Sequence, residues 1–204
     1  MLKETFTELV IKYDAAPKVA MALWDEIEKA YTHKKRHYHT LLHLENLIIE
    51  LSEYRSLIKD WDILLFSVFY HDIIYNVLKN NNEEESAMLA MNRLKSIGFP
   101  EDQIEKCRKQ ILATKNHEMS QNMDTDLFID ADLSVLGKDC DTYSAYAANV
   151  RKEYALYPDF AYNPGRKKVL THFLEMGKIF KTEVFQNKYE FSARENMAKE
   201  MNDL

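Results

Sequence analysis

The fold is decided by the stretch Trp61–Tyr75, WDILLFSVFYHDIIY, in which nearly every side chain is apolar or aromatic. An apolar run of this length is typical of a helix that is buried on all sides. We therefore predict a central helix from about Asp60 to Tyr75. Its polar pair, His71-Asp72, is unexpected there, because an ionised carboxylate is costly to bury unless something compensates its charge.

Further helices are predicted on both sides of this one. Pro17 lies where a first helical turn would begin, and apolar residues follow it at helical spacing. Asn82 followed by Glu85 has the spacing of an N-cap residue and its N3 partner. The segment Tyr157–Gly165, YPDFAYNPG, indicates a loop. The predicted helices cover, approximately, residues 17–30, 40–54, 60–75, 82–98, 101–114, 125–136, 142–156, 166–180 and 189–201.

Length and composition favour an all-α, single-domain bundle over residues 1–204. A chain of 204 residues can form one domain with a sizeable core and leaves little room for two. Only 4 Gly and 4 Pro occur, whereas sheet-rich folds usually need more turn residues. The sequence has no internal repeat, low-complexity tract or linker.

Charge and apolar content exclude several classes of partner. The formal net charge of −6 argues against a binder of nucleic-acid polymers, which needs a basic face. Cys107 and Cys140 are far apart in the sequence and predict neither a disulfide framework nor a thiolate zinc site. No signal peptide and no membrane-spanning apolar run are evident. We therefore expect a cytoplasmic protein that does not bind membranes.

His71-Asp72 is the only His-Asp dipeptide of the chain, and suitable partners occur on two other predicted helices. His43 lies on the preceding helix, and Asp132 lies in the segment FIDADLSVLG, which is apolar apart from its carboxylates. Two imidazoles and two carboxylates suit a divalent cation such as Mn, Fe, Co, Ni, Mg or Zn, and the absence of thiolates argues against a soft metal. The sequence therefore predicts a metal site formed by His43, His71, Asp72 and Asp132. A metal-free polar cluster in a helical core is the alternative.

The order H…HD…D on successive helices resembles the signature of the HD superfamily of metal-dependent phosphohydrolases. Flanking motifs extend this likeness over nearly the whole chain, toward a bacterial subfamily with an RxYHxxxH…HD…D pattern. The resemblance implies an HD-type helical bundle that hydrolyses a nucleotide or other small phosphate ester with a metal-activated water. The motifs are RHYHTLLHL (36–44), NEEESA (82–87), FIDADLSVLG (128–137), VRKEYA (150–155) and SAREN (192–196).

Other histidines and one aspartate are candidates for the same site. His39 is four residues before His43 and is expected to be a further ligand, a phosphate contact or an exposed histidine at a helix start. His117 is a candidate ligand of a second ion, with an exposed loop histidine as the alternative. We expect Asp130 to be a helix cap or a surface charge, and His172 to be a core histidine.

The expected catalytic and substrate-binding residues are all charged. Asp72 is expected to act in catalysis as well as in metal binding, and Glu83 and Glu84 are candidates for a general acid. Both glutamates also suit the first turn of a helix, where carboxylates favour the macrodipole. Arg36 and Arg151 are candidates for phosphate binding. Their alternatives are a solvated basic turn for Arg36 and a surface salt bridge for Arg151.

Two other functions remain open at this point. Some HD-fold proteins activate oxygen at a di-iron cluster with extra histidines, and His39 and His117 keep that alternative open. A non-catalytic nucleotide sensor with the same fold is the other. A ferritin-like di-iron bundle is excluded because no histidine has a glutamate three residues before it. The HExxH zincin motif fails because Gln121 occupies the second histidine position.

The expected partner is a small phosphorylated substrate, with a nucleotide favoured by elimination. No nucleic-acid polymer and no membrane is expected to bind. Assembly into a homo-oligomer is left open by the sequence.

Overall fold

The structure is a computed structural model that describes residues 1–204, and it contains ten α-helices and no strand. The predicted all-α, single-domain bundle is confirmed. None of the helices combines the length and the apolar character needed to cross a membrane. The helices are α1 Leu2–Ile11, α2 Pro17–Tyr31, α3 Leu41–Glu53, α4 Trp61–Tyr70, α5 Asn82–Ser96, α6 Glu101–Ala113, α7 Met123–Leu133, α8 Cys140–Glu153, α9 Asp159–Glu175 and α10 Glu183–Asp203.

Helix α4 is the centre of the core, as its sequence predicts. Every residue from Ile63 to Tyr70 is buried, and α3, α5, α6 and α7 pack around the helix. Phe69 meets Phe6 of α1 edge-to-face, with ring centroids 4.9 Å apart. Each large side chain buried in this way contributes about 1.5–3 kcal/mol to folding. The end of α4 is consequently held in a fixed position relative to its neighbours.

The central helix ends earlier than the sequence predicts. Tyr70 is its last residue, and His71-Asp72 lies in the turn that follows, so the predicted extension to Tyr75 is wrong. The backbone N–H of Ile74 donates to the hydroxyl of Ser86 in α5 at 3.1 Å. A side chain thus replaces a helical carbonyl as the acceptor, and the chain can turn away from the helix axis.

The segment predicted to be a loop, Tyr157–Gly165, is mostly helical, because α9 begins at Asp159. Pro164 lies inside α9 and removes one helical hydrogen bond. Tyr162 is buried, and the guanidinium of Arg151 lies over its ring at 4.6 Å. Tertiary packing therefore outweighs the local preference of Pro and Gly for a turn.

Several other boundaries differ from the prediction. Helix α1 has no predicted counterpart, α9 ends before residue 176 instead of near residue 180, and α10 begins at Glu183. The N-cap position of α5 is Asn81, not Asn82. Asn82 Oδ1 accepts a hydrogen bond from the backbone N–H of Asn76 at 3.1 Å, and Glu85 pairs with Lys79. These side chains bond within the preceding loop, so the predicted N-cap residue and capping box are wrong.

Gly137 provides a test of packing between the 3₁₀ helix Ser134–Gly137 and α10. A Cβ atom at Gly137 would lie 2.5 Å from Cβ and 2.7 Å from the carbonyl oxygen of Tyr189. Gly137→Ala is therefore expected to lower the free energy of unfolding by about 1–3 kcal/mol, the usual cost of overpacking. Urea denaturation measures this change.

Gly165→Ala is the matched control for that substitution. Gly165 is exposed in α9, and an added Cβ meets nothing within 4 Å. Because alanine is the better helix former by up to about 1 kcal/mol, this variant is expected to be neutral or stabilised. Equal stability of Gly137→Ala and the unsubstituted protein would contradict the close approach of α10.

Candidate metal centre

Three elements bring the predicted ligands together. His43 lies in the first turn of α3, His71 and Asp72 follow α4 directly, and Asp132 lies near the end of α7. Helices α3 and α7 pack on α4 and on each other, so the three segments meet at one end of the central helix. His43 and His71 are 4% and 1% exposed. Polar side chains buried to this degree need partners or a bound ion.

The donor atoms of His43, His71 and Asp132 form a small triangle. The Nε2 atoms of the two histidines are 3.2 Å apart. Oδ1 of Asp132 lies 3.2 Å from Nε2 of His43 and 3.7 Å from Nε2 of His71. Metal–ligand bonds of about 2.0–2.1 Å at right to tetrahedral angles place neighbouring donor atoms about 2.8–3.4 Å apart. The group could therefore hold a metal ion after a small side-chain movement.

The hydrogen bonds of His71 favour metal binding through its inner nitrogen. Nδ1 of His71 lies 2.8 Å from the carbonyl oxygen of Val68, which fixes a proton on Nδ1. When the ring is neutral, the lone pair of Nε2 therefore faces the triangle, as in histidines whose outer nitrogen is oriented by a carbonyl.

The pKa values of the cluster show that its carboxylates are stabilised by positive charge on the neighbouring histidines. Burial lowers the pKa of His43. Burial also opposes the charged form of His71, but the carboxylates of Asp72 and Asp132 outweigh it and raise the pKa of His71 to about 9. Desolvation of Asp132 is likewise outweighed, by hydrogen bonds with His117 and His43, so its pKa is held well below its usual range. A divalent ion would replace the proton on His71 as the compensating charge.

Asp72 lies beside the triangle and not within it. Its Oδ2 is 3.2 Å from Nε2 of His71 and 3.8 Å from Nε2 of His39. Its backbone N–H donates to the hydroxyl of the buried Tyr31 at 3.2 Å. Three of the four predicted ligands, His43, His71 and Asp132, therefore lie in one group. The fourth, Asp72, lies between that group and His39.

His117 flanks the cluster next to Asp132. Its Nε2 lies 3.5 Å from Oδ2 of Asp132, and its side chain is 19% exposed, so it is not a freely solvated loop residue. Its φ is +52°, a left-handed conformation that costs a non-glycine residue about 1–3 kcal/mol. Strain of this kind persists only where the surrounding structure imposes it. With His39, two further imidazoles border the triangle formed by His43, His71 and Asp132.

Glu153, at the end of α8, is a functional candidate that the sequence reasoning missed. One carboxylate oxygen, Oε1, accepts hydrogen bonds from the backbone N–H groups of His37, Tyr38 and His39 at 2.7, 2.8 and 3.0 Å. The other, Oε2, is 2.7 Å from Nδ1 of His39 and accepts from the hydroxyl of Tyr75 at 2.9 Å. Burial would raise the pKa of Glu153, but these partners outweigh it and lower that pKa to about 2.

The Glu153 carboxylate determines how His39 is presented to the cluster. Because Nδ1 of His39 donates to Glu153, its Nε2 remains for the side facing Asp72. The ring of Tyr75 lies 4.2 Å from the ring of His39 and restricts its rotation. The imidazole of His39 is therefore held in one orientation at the edge of the site. The alternative prediction, an exposed histidine at a helix start, does not describe it.

The two arginines predicted to bind phosphate have other partners. The guanidinium of Arg36 donates to the carbonyl oxygens of His39 and Ile73 at 3.2 and 2.9 Å, which joins the two segments that carry ligands. Arg151 donates to Asp159 and to carbonyl oxygens at the α8–α9 junction. Arg151 therefore lies outside the cluster. It forms a salt bridge with Asp159, which agrees with the alternative that the sequence left open for it.

The remaining candidates also lie outside the triangle. Glu83 and Glu84 occupy the first turn of α5; Glu84 pairs with Lys115, and neither carboxylate is hydrogen-bonded to the cluster. Asp130 is buried, so it is not a surface charge; its carboxylate accepts from the backbone N–H and the hydroxyl of Thr182, the residue before α10. His172 is exposed, so the prediction of a core histidine is wrong.

A cavity of about 280 Å³ opens against the cluster. His39, His117 and Asp132 line it on the side of the metal-binding triangle. Its other walls are aromatic and aliphatic, and neither lysine nor arginine contributes to them. They consist of Tyr38, Tyr75, Leu133, Val135, Leu136, Tyr146, Val150, Tyr154, Val169 and Phe173.

Comparisons of the chain with protein-family models, with curated proteins and with solved structures give no match. The chemistry of the site is therefore inferred from its own residues.

The hydrogen bonds of Glu153 predict a large effect on stability. Glu153→Ala would leave three partly buried N–H groups without their acceptor, and we expect a loss of about 2–4 kcal/mol in the free energy of unfolding. Glu84→Ala is the control, because its exposed pair with Lys115 is worth less than about 1 kcal/mol. Guanidinium denaturation at neutral pH measures both changes. Similar losses in the two variants would show that Glu153 does not anchor the 37–39 segment.

Proposed function

We propose that the protein is a metal-dependent phosphohydrolase acting on a nucleotide or other small phosphate ester. The observation that carries this proposal is the buried group of His43, His71 and Asp132, whose donor atoms lie within 4.8 Å of one another. Its nitrogen and oxygen donors suit a borderline or hard divalent cation. The H…HD…D order of these residues, which resembles HD phosphohydrolases, supports the same reaction class.

The residues around the triangle match the needs of phosphate ester hydrolysis. When bound, a divalent cation supplies hydroxide at neutral pH and offsets charge on the phosphoryl oxygens. Asp72 would add negative charge beside the triangle and strengthen cation binding. His39 borders the adjoining cavity with an imidazole nitrogen that can hold or release a proton. The apolar walls of the cavity would exclude bulk water from the reacting group.

A second candidate function is oxygen activation at a di-iron centre. The observation that favours it is the presence of two further histidines at the edges of the site. His117 lies 3.5 Å from Asp132, and His39 lies 3.8 Å from Asp72. Together with the triangle they offer enough donors for two ions. Iron in the purified protein together with oxygen consumption would favour this function, whereas phosphate release with Mn or Co would favour hydrolysis.

Loss of a ligand tests the proposed metal site. His43→Ala and Asp72→Ala are each expected to weaken metal binding by more than about tenfold, because even residues that only orient a ligand contribute that much. Turnover should fall with the metal. Elemental analysis of the dialysed proteins gives the metal content. Phosphate release from a nucleotide and phosphate-ester panel with Mn, Co, Ni and Mg gives the activity.

His33→Ala is the matched control for these variants. His33 is an exposed histidine of the loop between α2 and α3, so its removal should change neither metal content nor turnover. Metal content and turnover that remain normal in His43→Ala and Asp72→Ala would refute the proposed site.

A further inference from the structure

The cavity beside Asp132 narrows the class of substrate, an inference that rests on the proposed function. Four tyrosine rings contribute to its walls, those of Tyr38, Tyr75, Tyr146 and Tyr154. Its volume of about 280 Å³ is near the lower end of small-molecule sites, which span about 300–1,000 Å³. The cavity is thus large enough for one compact organic group next to the metal-binding triangle.

The charge distribution indicates that this group is uncharged. The nearby lysines, Lys115 and Lys168, do not line this cavity but an adjoining cleft, which shares His117, Val169 and Phe173 with it. Lys115 is already paired with Glu84 and donates to the carbonyl oxygen of Asn80. A chain of phosphates in the tyrosine-lined cavity would meet no cation there, and burying such charge against apolar walls is costly.

The tyrosine rings are held in place, which suits stacking against a flat ligand. Tyr75 is fixed by its hydrogen bond to Glu153, and Tyr38 packs edge-to-face on Tyr146 with ring centroids 4.7 Å apart. The hydrogen bonds of Tyr38 and Tyr154 involve their backbones alone, so both hydroxyls are available to a ligand. Ordered aromatic surfaces of this kind strengthen the binding of a flat ring by about 5- to 150-fold.

We propose that the substrate is a phosphate monoester of an alcohol that carries a flat aromatic ring, as a nucleoside does. The single phosphoryl group lies at the cluster of His43, His71 and Asp132, and the ring lies among the tyrosines. In the reaction a water oxygen forms a bond to phosphorus while the bond from phosphorus to the ester oxygen breaks. One proton of the water ends on the leaving oxygen, so the products are inorganic phosphate and the ring-bearing alcohol.

Binding of two phosphonates tests the ring site without requiring turnover. Phenylphosphonate and methylphosphonate share the anionic head and differ in the ring, and neither has an ester bond to hydrolyse. Calorimetry in the presence of Mn²⁺ should show phenylphosphonate binding about tenfold more tightly, which is within the range expected for one stacked ring. Equal dissociation constants, or no binding of either compound, would overturn the proposal.

Substitutions at Tyr154 and Val169 test whether the preference for phenylphosphonate arises in this cavity. Tyr154→Ala should abolish the advantage of phenylphosphonate, whereas Tyr154→Phe, which keeps the ring, should retain it. Val169 is 45% exposed at the cavity, so Val169→Trp can fill the space from its rim without disturbing the core. It should weaken phenylphosphonate binding and leave methylphosphonate unchanged. An advantage that survives both Tyr154→Ala and Val169→Trp would place the ring elsewhere and refute the inference.

Hydrolysis of two related substrates distinguishes a failure of this inference from a failure of the proposed function. Adenosine monophosphate and ribose 5-phosphate share the phosphoryl group and the sugar, and only the former carries a base. We expect kcat/KM to be about tenfold or more higher for adenosine monophosphate, from the stacking of its base. Equal hydrolysis of both would keep the hydrolase and overturn the ring site. Hydrolysis of neither, with the phosphonate preference intact, would overturn the hydrolase alone.

Discussion

The structure depends on the compensation of charge at the inner end of α4. Two imidazoles and the carboxylates of Asp72 and Asp132 are placed at the end of a helix in which every side chain from Ile63 to Tyr70 is buried. Without a cation these groups must share protons, as the raised pKa of His71 shows. The packing of α3, α4 and α7 brings them together, since each helix is fixed by its own apolar contacts. Folding of the core therefore supplies part of the free energy that is needed to hold these side chains together.

A second set of interactions holds the loop between α2 and α3 against the site. Glu153 accepts three backbone N–H groups of residues 37–39, and Arg36 donates to the carbonyls of His39 and Ile73. The first interaction ties the loop to α8, and the second ties it to the turn after α4. Because both use backbone atoms of the loop, they fix the position of His39 independently of what binds beside it. The histidine is thereby oriented before any ligand arrives.

The site residues whose proximity the sequence predicts correctly are polar residues within otherwise apolar segments. His71 and Asp72 stand out because they interrupt an apolar helix, and Asp132 stands out for the same reason. Glu153 could not be found in this way, since a glutamate on an ordinary polar helix face gives no signal, and its partners are up to 116 residues away. The helical state of Tyr157–Gly165 was missed because the burial of Tyr162 against the rest of the fold outweighs local turn chemistry. Both failures concern long-range contacts that no single window of sequence contains.

The early end of α4 has a consequence for what can pack beside His71 and Asp72. Successive side chains on an α-helix diverge by about 100°, because there are about 3.6 residues per turn. His71 still has helical φ and ψ angles of −58° and −40°, and its N–H donates to the carbonyl of Ser67, so the divergence applies to its backbone. The imidazole of His71 and the carboxylate of Asp72 nevertheless come within 3.2 Å of each other. Because the chain then turns toward α5 instead of forming a further helical turn, the rings of His39 and Tyr75 can pack beside this pair.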